Sequence, residues 1–333
     1  MAPVPMGVIG LGFMGGRWAR ALAEHDGARL AVVSDVRKDI GEEIAERYGA
    51  RFIPDPLEAA AHPDVAGVAV CTPEHLHVDA AMAAIEVGRS VMVEKPLAHT
   101  VAAAESIRDT AARHGAAVLA GHILRFEPRY AAARSAVHAG EIGAVRAVRS
   151  ERIGLVSDQR VLHGRTSIAL YYGVHELDLC RWFAGNVESL WAAASSGVVE
   201  SAGYPVVDLY SVGLRFASGA HGTSMVGWCL PETTPGYGVA GFTVIGDRGA
   251  VHVSQGEVGI RVVGNDGLRQ PDVYHSPEVG GRLFGALGIE ADHFVRVAAG
   301  TAEPRCTAAD GAAAVNLALA VERAARDGGV VRP

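Results

Sequence analysis

The sequence predicts an α/β domain with a doubly wound parallel sheet over residues 1–122, followed over residues 123–333 by an α+β domain with a large open, mainly antiparallel sheet. Three observations carry this. Short apolar, β-branched runs alternate with helical stretches through the first part of the chain, as they do where crossover helices cover both faces of a parallel sheet. A Gly-x-Gly-x-x-Gly run stands between the first strand and the first helix. Past residue 122 the helices thin out and longer strands follow one another across Gly-rich turns, which suits antiparallel pairing.

The first strand is Val4 to Ile9, and the glycine run Gly10-Leu11-Gly12-Phe13-Met14-Gly15 leads into a helix from Arg17 to His25. Gly10 permits the tight turn, Gly12 lets backbone approach a pyrophosphate, and Gly15 lets helix pack on strand. Phe13 and Met14 lie where the helix start offers N-H groups and the positive end of its dipole to phosphate. The second strand, Leu30 to Ser34, ends in Asp35, about 20 residues after Gly15, where a carboxylate accepts hydrogen bonds from a ribose and repels a 2'-phosphate. NAD is therefore expected over NADP, with Arg37 nearby as the residue that blurs the choice. A helix over Lys38 to Tyr48 and a short strand Arg51 to Ile53 follow.

The strand Gly67 to Cys71 ends in Thr72-Pro73-Glu74-His75-Leu76-His77, ahead of a helix from Val78 to Val87. Thr72 and His77 are candidates to flank the cofactor, or to serve as a helix cap and a loop residue. The strand Val91 to Val93 then runs into Glu94-Lys95-Pro96: apolar β-branched residues followed by charge mark a buried strand emerging at the ligand edge of a parallel sheet. A helix Val101 to His114 and a strand Ala117 to Ala120 complete the domain, ending at Gly121-His122-Ile123-Leu124-Arg125-Phe126.

Composition bounds the function. The formal net charge of -7 comes without a basic cluster, so neither nucleic acid nor an anionic membrane is the expected partner. The four cysteines, Cys71, Cys180, Cys229 and Cys306, are scattered and form neither a disulfide framework nor a zinc motif, so no metal is expected. No charged leader with an apolar run opens the chain and no long apolar stretch follows, which predicts a cytoplasmic protein.

In the second domain a helix Pro128 to Ala139 precedes strands at Val145 to Ile153, Val187 to Ser196, Val206 to Phe216, His221 to Cys229, Gly241 to Ile245, Val251 to Ser254 and Gly259 to Val263. One helix, Ile168 to Phe183, interrupts them, and helices near Gly285 to Ala299 and Thr307 to Arg326 close the chain. In the interrupting helix Tyr171 and His175 are four apart and share a face, with Asp178 one turn on. Neighbouring tyrosines and an acid can set the tautomer of such a histidine and its affinity for a proton. The open sheet, covered on one face by helices, leaves an apolar face for a second subunit, predicting a homodimer or homotetramer.

Taken together, the Gly10 to Gly15 run, Cys71-Thr72-Pro73-x-x-x-His77, Glu94-Lys95-Pro96, Gly121-His122-x-x-Arg125-Phe126 and Val174-His175-Glu176-Leu177-Asp178-Leu179 resemble the glucose-fructose oxidoreductase, inositol dehydrogenase and MocA family of NAD(P)-dependent oxidoreductases. The resemblance covers essentially the whole chain. It implies a Rossmann domain and hydride transfer between NAD and a sugar, cyclitol or related polyol. It also implies that Lys95 contacts the reacting hydroxyl and that His175 is the acid/base. Many members carry Asp four residues before that histidine; here the position is Tyr171, which becomes a candidate for proton handling. His122, Arg125, Arg152, Arg160, Arg165 and Asp178 are candidate substrate contacts. Two other readings stay open: a redox-neutral NAD-dependent glycosidase, and a catalytically silent NAD-binding regulator.

Overall fold

In the computed structural model, which describes residues 2–234, 238–254, 260, 262–264 and 267–333, the alternation at the start of the chain builds one six-stranded sheet. Its strands are β1 (Val4–Ile9), β2 (Ala28–Ser34), β3 (Arg51–Phe52), β4 (Gly67–Val70), β5 (Ser90–Glu94) and β6 (Val118–Gly121), in the order β3-β2-β1-β4-β5-β6. All neighbours are parallel. The chain winds outward from β1 to β3 and then returns to place β4 on the other side of β1, so the topological switch lies between β1 and β4. The strands are buried as their composition demands: Val8, Ile9, Val33, Val68, Val70, Val91 and Val93 are inaccessible to solvent. Each such side chain contributes about 1.5–3 kcal/mol by leaving water. The helices between them are α1 (Phe13–Glu24), α2 (Lys38–Tyr48), α3 (Pro56–Ala60), α4 (His77–Glu86) and α5 (Val101–His114). Asp55 caps α3 and Thr100 caps α5 through side-chain oxygens.

The chain divides into two compact units, residues 1–127 with 274–315 and residues 128–273 with 316–333. By packing, the first unit runs to residue 127 and takes in a later segment of the chain. Residues 274–315, expected with the second domain, belong to the first unit. The cause is a long-range return: the helix Gly285–Ala298 packs on α1, β1, β4 and β5, burying Ala286, Leu287, Ala291 and Phe294. Phe294 meets Trp18 of α1 edge to face, with ring centroids 6.2 Å apart. Thr307 then bridges to Leu119 at the β6 edge.

The second unit contains α6 (Pro128–His138), β7 (Val145–Leu155), α7 (Gln159–Leu162), α8 (Val174–Ala184), β8 (Val187–Ser195), α9 (Val198–Ser201), β9 (Leu209–Phe216), β10 (His221–Leu230), β11 (Val239–Gly246) and β12 (Ala250–Ser254). Its sheet runs β12-β11-β7-β10-β9-β8 and is antiparallel except for the β7/β10 pair. Alternation along β9 turns Tyr210, Val212, Leu214 and Phe216 inward. The opposite face is more mixed than expected: exposed Trp191, Met225, Val239 and Ile245 are interspersed with Arg149, Arg215 and Thr223. Of the strand expected at 259–263, positions 259 and 261 lie outside the described residues; its end, Val262–Gly264, pairs antiparallel with Gly267–Arg269.

The helix expected as one piece over Ile168 to Phe183 is two. A π-helical turn over Ala169–Gly173 precedes α8. A π turn inserts an extra residue and rotates what precedes it, so the four-residue spacing of Tyr171 and His175 does not align them as in a continuous α-helix.

Candidate active site

At the carboxyl edge of the first sheet, α1 begins directly at Phe13, with Gly12 as its N-cap and no side chain bonding the cap. Gly10 has φ of +84°, and a Cβ there would lie 2.8–2.9 Å from the backbone of Cys71 and Thr72. A Cβ on Gly15 would lie 1.7 Å from the Gly10 carbonyl oxygen. The turn thus excludes side chains at both positions, whereas a Cβ on Gly12 would meet nothing within 4 Å. Gly12 borders open space where a pyrophosphate would face the helix start. The Thr72 hydroxyl, just past β4 on the same edge, is buried without a hydrogen-bond partner in the protein. This arrangement fits a dinucleotide, held by Gly10, Gly12, Gly15 and Thr72. Phe13 is 70% exposed with Arg17 over its ring, and Met14 is half-buried.

Asp35 stands at the end of β2, its Oδ2 accepting from Leu11 N-H at 2.7 Å. Arg37 is bonded to it three times, through its backbone N-H at 2.8 Å, Nε at 3.0 Å and Nη2 at 3.1 Å. Burial opposes the carboxylate's charge, but these donors hold Asp35 below the usual carboxylate range. Arg37, expected merely to blur the cofactor choice, is in fact the partner that neutralises Asp35.

At the next strand end Glu94 points inward. Its Oε1 accepts from Trp18 Nε1 at 3.0 Å and its Oε2 from the Lys95 backbone N-H at 3.2 Å. Its carboxylate thus fastens this turn to α1. The Lys95–Pro96 peptide is cis. His77 is likewise taken up by backbone: Nδ1 lies 2.9 Å from the Pro96 carbonyl and Nε2 2.8 Å from the Thr72 carbonyl. Both ring nitrogens are therefore occupied within the protein.

Sequence reasoning overlooked Glu290, which sits on the returning helix, is fully buried and has no hydrogen-bond partner at either oxygen. Burial, and then the nearby Glu94, push its carboxyl well above the ordinary range. Burial and these two acids also keep Cys71 a thiol. A raised acid makes its full contribution to stability below its unfolded-state pKa and loses it as pH rises toward the folded value. Glu290→Gln, which holds the same shape without a proton to lose, should therefore be more stable than the parent at neutral pH. The gap should close in acid with a slope of up to about 1.4 kcal/mol per pH unit. Urea unfolding of both proteins across pH checks this; parallel curves would show Glu290 ionised normally.

His122 and Arg125 are buried in the first unit. Arg125 Nη1 donates to the Arg305 carbonyl at 3.1 Å and to Asp310 Oδ2 at 3.2 Å. It braces the loop before the last helix.

In the second unit, α8 packs on β7 and buries His175, Glu176 and Asp178 in succession. Arg152 of β7, expected on the substrate, is bonded through Nε to Glu176 Oε1 at 2.7 Å, with the glutamate side chain wholly buried. Burial opposes both charges. Glu176 is pushed up by it, while Arg152 holds its proton more firmly because the carboxylate is adjacent. Tyr171 packs on Tyr172 and Trp228, with ring centroids 4.8 and 6.2 Å away. Tyr172 donates to Asp158 Oδ2 at 2.9 Å. Arg160 pairs at the surface with Glu232. Nothing in the linear sequence singled out Glu176 as the partner of Arg152, since only the sheet-helix packing brings them together.

Residues 4–122 match the profile of the GFO_IDH_MocA oxidoreductase family, NAD-binding Rossmann fold, and residues 130–252 match the GFO/IDH/MocA C-terminal domain. An inositol 2-dehydrogenase of Rhizobium meliloti is 29% identical over 328 residues, 96% of each chain. A 2,7-anhydro-N-acetylneuraminate hydratase of Mediterraneibacter gnavus is 29% identical over 192 residues, 56% of this chain. The chain spans only about half of that relative, 51% of its length. Among solved structures, GenD2 from gentamicin A biosynthesis in complex with NAD superposes with a TM-score of 0.84 at 27% identity, covering 100% of this chain and 97% of that one.

Proposed function

We propose that this chain, which belongs to the GFO/IDH/MocA oxidoreductase family, is an NAD-dependent dehydrogenase that moves a hydride between the nicotinamide and a secondary alcohol or ketone of a sugar, cyclitol or related polyol. The observation that carries the reading is one sheet edge holding both the glycine turn before α1 and the Lys95 turn after β5. The chemistry supplied at that edge is hydride transfer at the nicotinamide ring. Lys95 sets an ammonium charge against the alkoxide that develops as the hydride leaves. His175 takes the hydroxyl proton in oxidation and returns it in reduction.

A screen of polyols, aldoses and nucleotide sugars with NAD, followed at the nicotinamide absorbance, tests this. We expect NADH and a ketone in equal amounts. Release of a free sugar without net NADH would establish a redox-neutral glycosidase instead. NAD binding without turnover of any compound would leave a regulator.

Asp35 should make the site prefer NAD over NADP by at least about 10-fold, or about 1.4 kcal/mol. Calorimetric titration of both dinucleotides decides the matter. Equal affinities would mean that Arg37 swings off Asp35 to meet the extra phosphate.

For assembly the reading is a homodimer or homotetramer joined through the outer face of the second sheet. Exposed Trp191, Met225, Val239 and Ile245 on that face support it. Light scattering at micromolar concentration should give a multiple of the 34.6 kDa chain mass; a monomer mass would end this idea. No helix among the described residues is long and apolar enough to cross a membrane.

A further inference from the structure

The contacts of His77 carry a consequence for the cofactor edge. The ring is the first side chain of α4 and is 1% exposed. Its two nitrogens lie 2.9 and 2.8 Å from two carbonyl oxygens, those of Pro96 and Thr72. A carbonyl oxygen can only accept a hydrogen bond, and a neutral imidazole has one N-H and one lone pair. A neutral ring would direct that lone pair at a carbonyl oxygen inside 3 Å, at a side chain only 1% exposed. The imidazolium, with two N-H groups, satisfies both.

The surroundings divide. Burial, and the positive end of the α4 dipole, disfavour the charge, while the Thr72 and Pro96 carbonyls and the Glu74 carboxylate favour it. On balance burial outweighs these and holds the ring below the ordinary histidine range. The two short contacts are what the charged form gains, because only the doubly protonated ring donates to both carbonyls. Of the elements packed on α4, α3 and α5 turn Ala59, Ala60, Ala104 and Ile107 inward, and β5 ends at Glu94 just before Lys95. Glu74, in the single turn before α4, is the charge that acts on the ring.

Thr72 closes β4 and carries the unpartnered hydroxyl; Pro96 directly follows Lys95. We propose that His77 is a positioning residue which, as an imidazolium, donates to both carbonyls, ties the Thr72 turn to the Lys95-Pro96 turn, and releases one of them when it loses its second proton. The link between this clamp and NAD rests on the dinucleotide reading of the same edge. The sign follows: both bonds exist on the acid side, and the clamp loosens as pH rises through the ring's own titration.

Ring-¹⁵N NMR of the whole wild-type chain without cofactor, from about pH 5 to about pH 8, reads the clamp directly. We expect His77 to show two protonated ring nitrogens at the acid end and to lose one N-H on the way up. A single N-H throughout overturns the proposal, whatever NAD does. NAD titrations over the same range supply the second arm. Wild-type affinity should fall by about 10-fold across the transition, the loss of about one hydrogen bond to a charged group. His77→Gln, whose amide donates without titrating, should give an affinity independent of pH. Identical pH profiles for the two proteins also overturn the proposal. Absence of NAD binding at every pH would instead refute the dinucleotide reading, leaving the NMR to judge the clamp.

Discussion

Lys95→Met and His175→Ala should each lower kcat by about 10² to 10⁴, the contribution of a positioned charge or acid/base. NAD affinity should change little in either, because the groups proposed to meet phosphate and ribose are Gly10, Gly12, Gly15 and Asp35, away from both substituted side chains. Loss of turnover with cofactor binding intact is the signature of chemistry removed and a pocket left whole. The Lys95 backbone N-H and the Glu94 carboxylate hold the turn independently of the lysine side chain, so Met there should not disturb it. Tyr171→Phe separates proton handling from packing, since it keeps the ring against Tyr172 and Trp228 and deletes only the hydroxyl. With the π turn rotating Tyr171 away from simple alignment with His175, we expect less than about a tenfold loss. A His175→Ala enzyme near normal beside a dead Tyr171→Phe would move the proton from histidine to tyrosine.

Arg152→Met should cost about 3–5 kcal/mol of stability, because it strands the Glu176 carboxylate in a site without solvent access. Replacing both residues at once, Arg152→Met with Glu176→Leu, should recover much of the loss, since neither charge then remains buried. Urea unfolding of the two single variants and the double variant measures the coupling. If Arg152→Met unfolds like the parent but raises KM, the arginine serves substrate after all and its bond to Glu176 is incidental. The distinction matters because Glu176 directly follows His175: the ion pair anchors the first turn of α8 to β7, and with it the backbone that presents the histidine.

Much of the architecture was legible in the order of residues. Continuous β-branched runs specify strands buried on both faces, and a glycine run between strand and helix specifies the turn, because both are consequences of local backbone sterics and burial. The tight turn expected at Gly10 and Gly15 is present, with no room for a side chain at either, and Asp35 stands at the end of β2, where it accepts from Leu11 N-H. Side-chain destinations were a different matter. In the sequence Arg37, Glu94, Arg125 and Arg152 stand out only as charges beside a cofactor or substrate edge. In the structure each is bonded to a group 1, 2, 24, 76 or 185 positions away, and no local pattern announces those partners. The return of residues 274–315 to the first unit and the partnerless acid at Glu290 were equally invisible, since both depend on which distant apolar surfaces meet. Strands, turns and the chemical types at the sheet edge can be read from residue order, because they are short-range matters of periodicity and steric allowance. Which charges bond one another depends on packing between remote segments, because a buried charge must find a partner and that partner comes from elsewhere in the chain.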